Sequence, residues 1–144
     1  MTTSSDTDIQ SLLPHRKPML LVDEVVSQNE AEIVCKKTFH ADEYFFQGHY
    51  PDQPICPGVI LCECGVQAGA ILLAGKVEQA DSVPVLTKLD NVRFKRMVEP
   101  GETIEMNVKL DDQVSSAFYL TAKVTCSGET AARFSFVCTV APRK

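Results

Sequence analysis

Apolar and polar residues change their spacing along this chain, and each change marks an element. Asp6–Leu13 places Ile9, Leu12 and Leu13 behind Ser, Asp and Thr caps and halts at Pro14, which predicts a short helix. Met19–Val26 is rich in branched apolar residues, and Glu30–His40 alternates around Ile33, Cys35, Lys37 and Phe39. Both predict strands, the second with one solvated face. Ala41–Pro57 carries Gly48, Pro51, Pro54 and Pro57 and is expected to be loop. From Pro57-Gly58 to about Gly75 or Gln79 apolar residues occupy nearly every side, which predicts a helix enclosed by sheet or by a partner chain. After Ser82 the pattern predicts strands at Val85–Val98, Glu102–Leu110, Ala117–Ser127 and Thr130–Ala141. Turns at Pro100-Gly101, Asp111-Asp112 and Ser127-Gly128 separate them into an antiparallel meander.

One all-round apolar helix with about six antiparallel strands specifies an α+β fold in which a curved sheet wraps the helix. The 144 residues fit a single domain, 1–144, without internal repeats. A domain of this size buries roughly 70% of the surface its unfolded chain exposes. So short a chain leaves the ends of such a helix uncovered, so a two-fold dimer is expected.

Composition narrows the function classes. A net charge of -5 argues against a nucleic-acid partner. With 44% hydrophobic and 23% charged residues the chain is ordinary globular protein, and only Met1–Thr7 is polar enough to suggest disorder. The N-terminus has neither a basic stretch leading an apolar one nor transit-peptide arginines, so the expected compartment is the cytoplasm. Gly58–Gly75 would reach only about 27 Å as a helix, and it contains Glu63 and Gln67, so no membrane span is expected. Cys35, Cys56, Cys62, Cys64, Cys126 and Cys138 form no C-x-x-C pair and are expected to be reduced and buried.

The chemistry concentrates in Phe45–Gln67, FFQGHYPDQPICPGVILCECGVQ. Glu63 and Gln67 are the strongly polar side chains of the apolar helix before Lys76, and at four-residue spacing they share one face with Val59, Val66 and Ala70. A carboxylate in such surroundings needs a partner or a proton, and the nearest candidate partner is the loop residue His49. Gly58 and Val59 begin the helix, where amides lack intrahelical acceptors and suit a carbonyl oxygen gaining charge. Together these residues suggest proton removal beside a carbonyl. His49 would act as base and Glu63 as acid to a leaving hydroxyl, the pairing that elimination of water from a 3-hydroxyacyl group requires.

The same string is similar to the signature F-F-x-G-H-F-P-x-x-P-x-x-P-G-V-x-x-x-E-x-x-x-Q of the (3R)-hydroxyacyl-[acyl-carrier-protein] dehydratases of the FabZ type. LLPHRKPMLLVDEV and VRFKRMVEPGE resemble that family as well, so the likeness runs from about Leu12 to Val108. It implies the hotdog fold and a homodimer with two composite sites, often a trimer of dimers. His49 and Glu63 would come from different subunits as the catalytic dyad. His49 would take the C2 proton, and Glu63 would protonate the departing 3-hydroxyl directly or through water. Gly58, with Val59, would polarise the thioester carbonyl, Gln67 would support Glu63, and Phe46 would belong to the substrate site. No metal or redox cofactor is implied. The basic residues Arg93, Lys95 and Arg96, after Lys88, would suit an acidic acyl carrier protein as partner.

Tyr50, Asp52, Cys56 and Cys64-Gly65-Val66 depart from the family pattern, and the smaller residues at Cys56 and Gly65 bear on tunnel shape. His15 is expected to pack and to bond backbone. His40, near Asp42 and Glu43, lacks the further ligands of a zinc site, and apolar burial disfavours a thiolate at Cys62 or Cys64. Two other functions compete: a hotdog acyl-thioesterase using Glu63, and a non-catalytic subunit that binds an acyl carrier.

Overall fold

The enclosed helix is the centre of the molecule. A computed structural model describes residues 6–77 and 82–142; the alternative helix end at Gln79 and most of the polar start lie outside them. In chain order the elements are α1 (Asp6–Leu12), β1 (Glu24–Gln28), β2 (Glu32–Thr38), α2 (Tyr44–Gly48) and α3 (Gly58–Ala74). Then follow β3 (Ser82–Phe94), β4 (Thr103–Val114), β5 (Ala117–Cys126) and β6 (Glu129–Pro142). The strands form one six-stranded antiparallel sheet in the order β1-β2-β4-β5-β6-β3.

Alternation along the strands builds the inner face. Ile33 and Cys35, Ile104, Met106 and Val108, Phe118, Leu120 and Ala122, and Phe134 and Phe136 are all buried. Against them α3 buries Leu61, Cys62, Cys64 and the unbroken run from Gln67 to Leu73. Glycine permits the close approach. A Cβ at Gly65 would stand 2.6 Å from Phe134 Cζ, and one at Gly69 would stand 2.7 Å from Phe136 Cζ.

Three expectations need correction. Met19–Asp23 precedes the strand, which starts only at Glu24. The side chain of Gln67 takes the backbone groups that a neighbouring strand would otherwise satisfy, accepting from Leu21 N at 2.8 Å and donating to Met19 O at 2.7 Å. Asp111-Asp112 is a register shift inside β4 rather than a turn; the chain reverses just beyond Val114, where Ser115 takes φ 57°. The expected loop Ala41–Pro57 contains α2. Its Phe45 and Phe46 set their rings edge-on to Phe39 at 5.8 and 6.1 Å, burial that stabilises a single turn local signals disfavour.

Candidate active site

His49 caps the end of α2, and its ring is fixed on both sides. Nδ1 lies 2.9 Å from the carbonyl oxygen of Ile55, and Tyr50 packs edge-on at 4.8 Å. A carbonyl only accepts, so this contact assigns the ring proton to Nδ1 and the lone pair to Nε2. His49 opens into a cleft of about 610 Å³ with Cys56, Gly58, Val59, Phe94 and Met97 on its walls. Gly58 and Val59 occupy the first turn of α3, where backbone N–H groups have no intrahelical acceptor. Phe94 covers Gly58 so closely that a Cβ there would lie 2.7 Å from its ring. Any larger residue at this position would have to displace that exposed ring. Phe46 is buried with Phe39 and Phe45, so its ring supports α2 from behind.

Glu63 lies further along α3, about 7.5 Å from Gly58 along the axis. Its side chain keeps 28% of its surface exposed, more than the apolar sequence around it suggested. Its partners in the chain are Gln67, which donates to Oε2 at 2.8 Å, and His15, whose Nε2 stands 3.6 Å from the same oxygen. His49 makes its own contacts with Ile55 and Tyr50. Sequence spacing identified Gln67; His15, expected from its place in the N-terminal string to pack and to bond backbone, instead turns Nε2 toward Glu63 and leaves Nδ1 without a hydrogen-bond partner.

Gln67 is buried at 1% exposure and spends its whole amide. Leu21 N can only donate, which places Oε1 there and turns the NH2 toward Met19 O and Glu63 Oε2. One side chain thus fastens the N-terminal segment to α3 and orients the carboxyl.

Of the basic residues, Arg96 is engaged. It forks onto Glu102 at 2.8 and 3.2 Å, and Glu102 also accepts from Glu99 N at 2.9 Å. The guanidinium bond, followed by that backbone bond, holds the Glu102 carboxyl down at about 2. Arg93 and Lys95 are exposed and share a surface cleft with Arg133, which stands directly across from Arg93 on β6. Like charges so opposed weaken a sheet unless an anion relieves them.

Burial pushes the Cys62 thiol up to about 11 and Cys56 to about 12, and raises Cys64 well above the usual range. All six cysteines are free and buried, so none offers a thiolate. Glu43, near His40, is occupied by Lys37 Nζ at 2.7 Å and by the His40 amide at 2.8 Å. Among the described residues no cluster of His, Cys, Asp and Glu could hold a metal ion, and no helix is long and apolar enough to cross a membrane.

Known proteins place this arrangement. The family profile described as FabA-like domain matches residues 13–135. The 3-hydroxyacyl-[acyl-carrier-protein] dehydratase FabZ of Clostridium perfringens is 41% identical over 128 residues, 85% of this chain and 92% of that one. The FabZ of Oenococcus oeni is 44% identical over 129 residues, 87% of this chain and 91% of that one. Among solved structures, the dehydratase heterocomplex ApeI:P from Xenorhabdus doucetiae superposes with a TM-score of 0.80 at 19% identity, covering 92% of this chain and 90% of that one. The E. coli PaaI protein superposes with a TM-score of 0.65 at 18% identity, covering 80% of each chain. These likenesses fix the fold as a hotdog. The chain belongs to the FabA-like family and, within it, to the 3-hydroxyacyl-[acyl-carrier-protein] dehydratases of the FabZ type.

Proposed function

We propose that the protein removes water from (3R)-hydroxyacyl-[acyl-carrier-protein] to give the trans-2-enoyl thioester, in fatty-acid biosynthesis or a dedicated lipid or polyketide pathway. The observation that carries this reading is the contact of His49 Nδ1 with the Ile55 carbonyl oxygen. The Nδ1 proton is committed to that carbonyl at 2.9 Å, which leaves Nε2 free to accept a proton in the cleft that begins α3. The thioester carbonyl would lie over the Gly58 amide, whose positive end of the helix stabilises the enolate-like state. His49 Nε2 takes the C2 proton. The C3–O bond then breaks as Glu63 gives its proton to the hydroxyl, and water leaves. The enzyme ends with a protonated His49 and an ionised Glu63, and transfer of one proton between them through solvent restores it.

Glu63 is engaged within its own protomer by Gln67 and His15, which supports a composite site. The dyad partner of one subunit's His49 is the Glu63 of a second subunit. Exposed apolar residues support that pairing: Val85, Leu86 and Leu89 on the edge strand β3, and Val59, Phe94 and Met97 around the His49 cleft. Homodimers, alone or joined as trimers of dimers, would work in the cytoplasm. Arg93 and Lys95, with Arg133, would receive the acidic carrier, while Arg96 holds the patch's base through Glu102.

Purified protein given a (3R)-hydroxyacyl carrier thioester should convert it to the 2-enoyl product, followed by mass spectrometry. His49→Ala and Glu63→Gln should each lower kcat by about 10²–10⁴-fold while staying folded. Intact substrate across several chain lengths would sink the dehydratase reading; release of free thiol from a saturated acyl-thioester would move the thioesterase to its place.

A further inference from the structure

His15 belongs to the Glu63 site, and its ring nitrogens are unequally placed. Nε2 stands 3.6 Å from Glu63 Oε2, whereas Nδ1 is buried without a hydrogen-bond partner. A proton on Nδ1 would bury an unpaired N–H and turn the Nε2 lone pair toward a carboxyl oxygen. A proton on Nε2 avoids both, so the ring carries its N–H toward Glu63. This is the opposite tautomer from His49.

The segment that carries His15 is fastened at both ends. Arg16 Nη1 donates to the carbonyls of Leu13 at 2.8 Å and His15 at 2.7 Å, and Nη2 donates to that of Gln10 at 3.1 Å. These charge-assisted bonds tie the loop to the end of α1. On the other side Gln67 holds Met19 and Leu21. Glu63 Oε2 therefore faces two donors, the Gln67 amide and the His15 ring, delivered by separate and rigidly held groups.

We infer that His15 is a positioning residue for proton delivery: with Gln67 it occupies Glu63 Oε2, so that the proton Glu63 donates is carried on Oε1. As the Oε1–H bond breaks, that proton joins the departing hydroxyl to form water, and the electrons of the O–H bond remain on the carboxylate. The His15 N–H faces the oxygen onto which this charge spreads, and the 3.6 Å contact tightens as the charge develops. This inference rests on Glu63 acting as the acid.

The test compares two amides. Glutamine places its NH2 near the position of a histidine Nε2, whereas asparagine reaches only as far as Nδ1. His15→Gln should keep kcat within about threefold of wild type. His15→Asn should lose about 10- to 30-fold in kcat with KM within about twofold, the size expected for one lost bond to a charged group. His15→Gln should keep the wild-type thermal midpoint; His15→Asn, whose amide falls where Nδ1 is buried without a partner, should lower it, so kcat is compared well below both midpoints, where each variant is fully folded. Equal kcat there in both variants and wild type would overturn the inference. Nitrogen-15 NMR of the His15 ring supplies a readout independent of turnover: the proton is expected on Nε2, and a proton on Nδ1 would overturn it. Glu63→Gln separates the two readings. If it is as active as wild type, the acid role itself fails; if it is inactive while His15→Asn is unaffected, only the role of His15 fails.

Discussion

Gln67 shows how much one buried amide can organise. It bonds two backbone groups from the segment before β1 and the carboxyl of Glu63. Gln67→Leu keeps the volume but leaves Leu21 N and Met19 O without those partners. The buried Leu21 N costs about 1–3 kcal/mol when orphaned and the part-buried Met19 O less, so the variant should lose roughly 1–4 kcal/mol of stability in urea titrations. It should also lower kcat more than KM rises, because Glu63 loses its closest donor. A stability loss below about 0.5 kcal/mol would mean that water replaces the amide at no cost. The link between Glu63 and Gln67 was legible in the sequence because helical spacing of four is local geometry. The link to His15 was not, since it arises from the packing of a distant loop onto α3. Glu63 also drew attention as an expensive buried carboxylate, yet it keeps 28% of its side chain exposed. The apolar run around it describes the helix's other faces.

At the scale of elements, α3 was legible as a long apolar run opened by Pro57-Gly58 and the strands by their alternation, and their ends moved by a few residues. The exceptions have non-local causes. α2 forms amid Gly and Pro signals because Phe45 and Phe46 find Phe39, and β4 runs through Asp111-Asp112 because a register shift absorbs them. That the sheet wraps α3 was legible, but the close approach at Gly65 was not, since Gly65 read as a departure bearing on tunnel shape. In the fold Gly65 is where the Phe134 ring meets the helix backbone, and a Cβ would lie 2.6 Å from Cζ. Gly65→Ala gains up to about 1 kcal/mol of helix propensity but forces overpacking that costs about 1–3 kcal/mol. A net loss of up to about 2 kcal/mol is expected once the helix gain is subtracted. In a Phe134→Leu background the clash disappears, so the same glycine change should there be neutral or stabilising. A double-mutant cycle measures this coupling, and additive effects would show that the helix shifts freely on the sheet.

For the whole molecule, His49 and Glu63 have separate partners within the single chain. His49, with the Gly58 amide, opens a cleft at the start of α3, and Glu63 is oriented by residues from its own N-terminal segment. If a dimer joins one subunit's His49 to the other's Glu63, two dead proteins can make a live one. A His49→Ala subunit retains Glu63, and a Glu63→Gln subunit retains His49. In their heterodimer one composite site carries both substitutions and the other carries neither. Random exchange of equal amounts makes about half the dimers mixed, each with one intact site of two, so activity should recover to about one quarter of wild type. Sites built within one subunit would stay dead at every mixing ratio, since each would lack one member of the dyad. The recovery also depends on the edge strand. Leu89→Lys in both proteins sets charge on the exposed apolar run of β3, where neither an apolar contact nor strand pairing accommodates it. Sedimentation should then shift toward the monomer, and the recovered quarter should vanish with the dimer. Recovery that persists in a monomeric Leu89→Lys pair would disprove the composite site.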